Sequence, residues 1–147
     1  MLLLSADLRA QKPTNVLALH EGNTTHPANV IASDVFRRSF AKSPQNQFFE
    51  EYMDEDRVRE KHENFAESLR QKYIGKQMNL VISDGWPALQ FVLGYGEQLW
   101  PGVPKIFYFV DSRELPASLP ANMTGVVGVA DFGGILDLAL RLQSNTR

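Results

Sequence analysis

Short apolar runs alternate with longer stretches in which apolar residues recur every three or four positions. The clearest run lies in Asn79-Leu-Val-Ile-Ser-Asp-Gly-Trp-Pro-Ala-Leu89. Leu80 to Ile82 is apolar on both faces, the signature of a strand covered by helices on both sides. Ser83-Asp84-Gly85 ends it and opens a helix through Trp86–Leu89 that fades around Gly94–Gly96. Asp84 suits the N-cap, and Pro87 is tolerated because first-turn amides have no helical acceptor.

The same alternation runs through the whole chain. Asn15–His20 is a first strand, and Glu21–Pro27 a polar loop at its carboxyl end. A helix over about Ala28–Lys42 carries Val30, Ile31, Val35, Phe36 and Phe40 on one stripe, and Ser43–Asn46 breaks it. Gln47–Met53 is a second strand whose Glu50 and Glu51 interrupt both faces, which suits a sheet edge. Asp54-Glu-Asp56 supplies a cap and favourable charge for a helix over Asp56–Ile74, striped by Val58, His62, Phe65, Leu69 and Tyr73 and stopped by Gly75.

Beyond the central stretch, Trp100–Pro104 makes a turn and Lys105–Val110 a buried fourth strand ending in Asp111-Ser112. A proline-broken link, Leu115–Pro120, leads to a fifth strand, Gly125–Ala130. Asp131 caps a last helix, Phe132–Leu142, with Phe132, Ile135, Leu136, Ala139 and Leu142 on its apolar stripe. Strands alternating with amphipathic helices predict an α/β fold, a doubly wound parallel five-stranded sheet in the order 2-1-3-4-5.

Composition narrows the function classes. The 147 residues suffice for one domain with a real core, and a net charge of −2 argues against a nucleic-acid partner. No run of 18 apolar residues exists to cross a membrane. The absence of cysteine removes disulfides and thiolate metal sites. Residues 1–14 read either as the remnant of a signal peptide, with Leu2 to Leu4 ending its apolar region, or as a disordered N-terminus.

In an open α/β sheet, ligands bind beyond the carboxyl ends of the strands. His20, Glu21, Gly22, Asn23 and Thr24 lie there after the first strand, Ser83, Asp84 and Gly85 after the third, and Asp111 after the fourth. These nine residues are the candidate ligand-binding set. Asp84 and Asp111 either converge on one crevice or serve only as a helix cap and a turn residue. The residues leave both readings open. His20, Glu21 and His26 lack the register of a metal site, so no metal is expected, and His62 reads as a core or edge histidine.

Nucleotide motifs are missing: no G-x-G-x-x-G follows the first strand, and no Gly-rich loop ends in Gly-Lys-Ser/Thr. No cofactor is expected on that ground, and a G-x-S-x-G nucleophile elbow is also missing. A phosphoacceptor receiver domain would need an acidic pair after the first strand and a lysine ending the fifth. His20-Glu21 and Val129-Ala130 stand there instead. Asn23-Thr24-Thr25 and Asn122-Met123-Thr124 fit a glycosylation pattern that is common by chance.

Several segments together carry a family resemblance. They are Val16–His20, Glu51–Asp54, Leu69–Tyr73 with Asn79–Asp84, Pro87–Leu89, Leu99–Pro104, and Met123–Val127 before Leu138–Leu142. In order and spacing the chain resembles the substrate-binding-protein-like domains of ABC transport systems and of bacterial histidine-kinase sensor regions. The resemblance implies a two-lobed, periplasmic-binding-protein-like fold with a small-molecule ligand held between the lobes. It implies a periplasmic or extracytoplasmic location and no enzymatic activity in this part of the protein.

On that pattern residues 15–130 form the N-terminal ligand-binding lobe. Residues 131–147 form a hinge and a helix directed toward a second lobe, whose absence would mark the chain as a fragment attached to a membrane only through other segments. The helix over residues 131–142, left without that lobe, is expected to dock on a second copy as a homodimer. The sensor of a two-component histidine kinase is the leading expectation, and the solute-binding component of an ABC transporter the alternative. From a different class stands a small flavodoxin-like enzyme using Asp84 and Asp111.

Overall fold

The computed structural model describes residues 14–55 and 61–143. Five strands, β1 (Asn15–His20), β2 (Gln47–Tyr52), β3 (Leu80–Asp84), β4 (Lys105–Asp111) and β5 (Met123–Gly128), form one sheet in the order β2-β1-β3-β4-β5. Every pairing is parallel. The predicted order therefore holds, with β2 at one edge. The expected signal remnant and residues 56–60, Val58 included, lie outside the described residues; the second helix starts at His62, where Lys61 is extended at the N-cap, and not at Asp56 as expected.

The helices are α1 (Pro27–Phe40), α2 (His62–Lys72), α3 (Gly85–Leu99) and α4 (Phe132–Leu142). The main core lies between the sheet and α2 with α3, where Leu17, Leu19, Val81, Leu89, Phe91, Val92 and Phe107 are buried. Phe65 and His62 both meet the ring of Phe91 edge-on, at 5.1 and 5.7 Å. His62 is therefore a packed histidine, with Glu55 2.8 Å from its Nε2. On the other face Val16, Ala18 and Ile82 pack under Phe36 and Phe40 of α1.

Several expectations need correction. The third strand runs on through Ser83 and Asp84, because both continue the ladder opposite Leu19 and His20. Its helix continues past Gly94 to Leu99. Gly96 is buried there, and a Cβ on it would meet the Lys105 side chain at 3.0 Å, so the glycine serves close packing on β4. The fifth strand begins two residues early, at Met123, whose amide bonds back to the Pro120 carbonyl.

The stripe on α1 is only half used. Phe36 and Phe40 reach the sheet, whereas Val30, Ile31 and Val35 are more than half exposed. Phe40 stacks on Phe48 at 5.2 Å, which seats α1 toward β2 and leaves the β3–β5 side of that face bare. An apolar groove of about 480 Å³ remains there, lined by residues including Val35, Phe36, Ile82, Tyr108 and Val126. Helix α4 has no buried residue.

Candidate functional site

Parallel register brings the ends of β1, β2 and β3 side by side: His20 lies opposite Tyr52 on one flank and Asp84 on the other. Residues two apart on a strand share a face, so His20, Glu50, Tyr52 and Asp84 fall on the α1 side. His20 is fully buried. Its Nδ1 lies 2.9 Å from a carboxylate oxygen of Asp84 and its Nε2 3.3 Å from one of Glu50. The ring of Tyr52 stacks on the imidazole at 4.7 Å.

Arg37, from α1, pairs with Glu50 from above, the guanidinium largely in solvent and the carboxylate beneath it. Tyr108 completes the cluster from β4. Burial first, then the charge of Asp84, holds its pKa well above the ordinary tyrosine value. Burial and the neighbouring Glu50 push Tyr52 the same way.

This arrangement changes two roles. Asp84 stands at the N-cap of α3 but makes no side-chain cap bond, because His20 draws its carboxylate. Glu50 is on an edge strand yet points inward, with its side chain only 3% exposed. Its carboxylate pairs with Arg37 and lies beside the His20 ring. Nothing in the β2 pattern alone marked Glu50 for this; the cue was a histidine ending the neighbouring strand.

Over the buried cluster the loops are tied backbone to backbone. The amides of Glu21, Met53, Asp54 and Glu55 donate to the carbonyls of Asp84, His20, Gly22 and Glu21. Buried Asn29 donates from Nδ2 to the Asn23 carbonyl at 3.1 Å, and the Asn23 side chain accepts from the amide and hydroxyl of Thr25. Gly85 takes φ +82°, and a Cβ there would fall 1.9 Å from a Glu21 carboxylate oxygen. Glu21 therefore lies against the first residue of α3, where negative charge meets the positive helix end.

Of the nine candidates, His20, Gly22, Ser83, Asp84 and Gly85 are buried, and they support the rim from beneath. Glu21, Asn23 and Thr24 reach the surface. Asp111 lies further along the rim, beyond a bulge in β4 where Phe109 adopts φ +58°. It lines a cleft of about 380 Å³ with residues including Phe109, Glu114 and Gly128. Arg113 bonds its carboxylate through Nε at 2.8 Å and through the backbone amide at 2.9 Å, and holds it well below the usual carboxylate range.

Asp84 and Asp111 are thus held in separate pairs, one buried with His20 and one exposed with Arg113. Among the described residues, no group of three or more His, Cys, Asp or Glu side chains is arranged to hold a metal ion, and no helix is long and apolar enough to cross a membrane. Comparison of the chain with protein-family models, curated proteins and solved structures found no match.

Proposed function

We propose that the chain is the ligand-binding lobe of an extracytoplasmic small-molecule sensor, serving a two-component histidine kinase. One observation carries the binding part of this reading. The strand-end rim presents Glu21, Asn23 and Thr24 on loops that a buried polar cluster and cross-loop backbone bonds hold in place. Binding sites favour polar groups positioned in advance by a rigid frame. Among the described residues, the one histidine at a strand end, His20, has both ring nitrogens turned to buried carboxylates, so it supports the rim rather than meeting a substrate. The sensor role itself rests on the family resemblance of the sequence, as does the transporter alternative.

The rim also favours one ligand class. Glu21 and Asp84 already occupy the positive end of α3, so an anion gains little there. A polar neutral or cationic solute fits better. Amide chemical shifts would test this against a panel of amino acids, amines and organic acids. Shifts are expected at residues 20–25, 83–86 and 111–113 with the amines or neutral solutes, and weakened in Glu21→Ala. Shifts confined to the opposite rim, where Leu69, Lys76 and Gln98 help line a concavity of about 490 Å³, would overturn the reading.

A further inference from the structure

Phe109 is strained and exposed at once. Its φ of +58° lies in the left-handed region, which is costly for a side chain with a Cβ, and the residue is 68% exposed. The bulge around it explains the angle. Phe107 pairs with Gly125 and Val110 with Val127, so Tyr108 and Phe109 together stand opposite the single residue Val126. Residues three apart on a regular strand point to opposite faces, yet Phe107 and Val110 are both buried in the main core. The extra residue resets the alternation, turning Val110 inward and Phe109 out.

The bulge does not explain the phenylalanine. Glycine or asparagine would take the same angle at lower cost, and a ring so exposed adds little packing. What it does add is an aromatic face at the strand-end rim, where bulges re-aim side chains beside binding sites. The ring lines the cleft of about 380 Å³ that also holds Asp111 and Glu114. Its frame is tied together. The Asp111 carboxylate accepts from the side chain and amide of Arg113 and from the Ala130 amide, and the Ser112 amide donates to the Gly128 carbonyl at 3.1 Å.

The lining also has a sign. Val129 and Ala130 are apolar, and the charged residues lining the cleft, Asp111 and Glu114, are both acidic. Arg113 neutralises Asp111, which leaves the charge of Glu114. We propose that this cleft binds an organic ammonium ion, its cationic head toward the Phe109 ring and Glu114 and its hydrocarbon part along Val129 and Ala130. A cation is attracted to the face of an aromatic ring, whereas a carboxylate would meet Glu114 as a like charge. The assignment rests on the reading of the strand-end rim as a ligand site and adds Phe109 and Glu114 as its specificity residues.

Hexylammonium, 1-hexanol and hexanoate share one chain length and differ in charge, and amide chemical shifts of the full chain would follow each. Hexylammonium is expected to shift residues 109–114 and 128–130 and to bind more tightly than the alcohol, with hexanoate weakest. Phe109→Asn should weaken hexylammonium about tenfold and unfold at no lower temperature than the natural chain, and Phe109→Tyr should keep the affinity. Glu114→Gln should remove the preference for the ammonium over the alcohol. Unchanged affinity in Phe109→Asn, or hexanoate binding as tightly as hexylammonium, would overturn the assignment. Earlier unfolding of Phe109→Asn would overturn it as well, by making the ring a packing element. Hexylammonium shifts confined to residues 20–25 and 83–86 would overturn this cleft and leave the rim reading standing.

Discussion

Nδ1 of His20 and a carboxylate oxygen of Asp84 lie 2.9 Å apart, joining residues 64 positions distant in sequence at the ends of two neighbouring strands. Both side chains are buried, so removing either leaves a polar atom of the other without this partner and away from water. A buried polar group deprived of its hydrogen-bond partner typically costs about 1–3 kcal/mol. His20→Ala should lose stability in that range, with the Tyr52 stack lost as well. Asp84→Asn keeps an acceptor and the shape, and should cost about 1–3 kcal/mol. Urea unfolding measures both. Equal stability of His20→Ala and the natural chain would contradict a structural role for the cluster.

Two glycines should respond in opposite directions. Gly85 has φ +82° with the Glu21 carboxylate across its α-carbon, so Gly85→Ala strains the backbone and displaces Glu21. A loss of about 1–2 kcal/mol is expected from the left-handed angle alone. Gly94 is in the middle of α3 with open space around it, so Gly94→Ala should stabilise by about 0.5–1 kcal/mol. Thermal unfolding of the two variants side by side checks the contrast.

Lys105 begins β4 with its side chain only 3% exposed. Its Nζ donates to the carbonyls of Trp100 and Val103, at 3.3 and 3.0 Å, and to Glu97 at 3.1 Å. Lys105→Met keeps the aliphatic stem but removes one donor from each carbonyl; Trp100 still accepts from the Val103 amide and Val103 from Asn122 Nδ2, so the cost should be about 0.5–1.5 kcal/mol. Trp100 is buried beside it, so its fluorescence should report the loosened turn. An unchanged unfolding midpoint would mean water replaces the amine without loss.

Alkaline pH should unfold the protein earlier than its core would suggest. The pKa of Tyr108 is raised mainly by burial and by Asp84, and that of Tyr73 by burial and by Glu51, 2.5 Å from its hydroxyl. A group whose folded pKa lies above its unfolded value leaves stability intact below the unfolded value. For tyrosine that value is near 10, and stability falls as pH rises from there toward the folded pKa. Tyr108→Phe and Tyr73→Phe should each flatten that fall. Stability curves above pH 10 that overlay the natural chain's would refute the assignment.

The sheet was legible because its evidence is local. Runs such as Val16–Leu19 and Leu80–Ile82 are apolar on both faces, and each is followed by a polar turn. The polar cluster was legible only in part. His20 and Asp84 stood out as strand-end residues, but their contact exists only once β1 and β3 are placed in register. Glu50 marked the edge strand correctly, but its buried pairing with Arg37 was not legible, because Arg37 comes from a helix whose seat over β2 no local pattern reveals. The exposed half of α1 escaped notice for the same reason: periodicity marks an apolar stripe without saying how much of it is covered.

The strand order also governs how the chain can acquire its structure during synthesis. β1 leaves the ribosome first, yet both its neighbours are made later, Asn15 pairing with Gln47 and Val16 with Leu80. The β3–α3–β4 unit, by contrast, closes on itself over a short span, with Val81 beside Lys105. Short loops close faster than long ones, so this unit is expected to organise first and β1 to insert afterwards, between β2 and β3. Leu89→Ala in α3 should therefore slow refolding, while Leu17→Ala in β1 should chiefly hasten unfolding. A nascent chain that has not yet made β3 carries the apolar strand Val16–Leu19 without the neighbour that buries it, and aggregation is expected to be fastest in that interval.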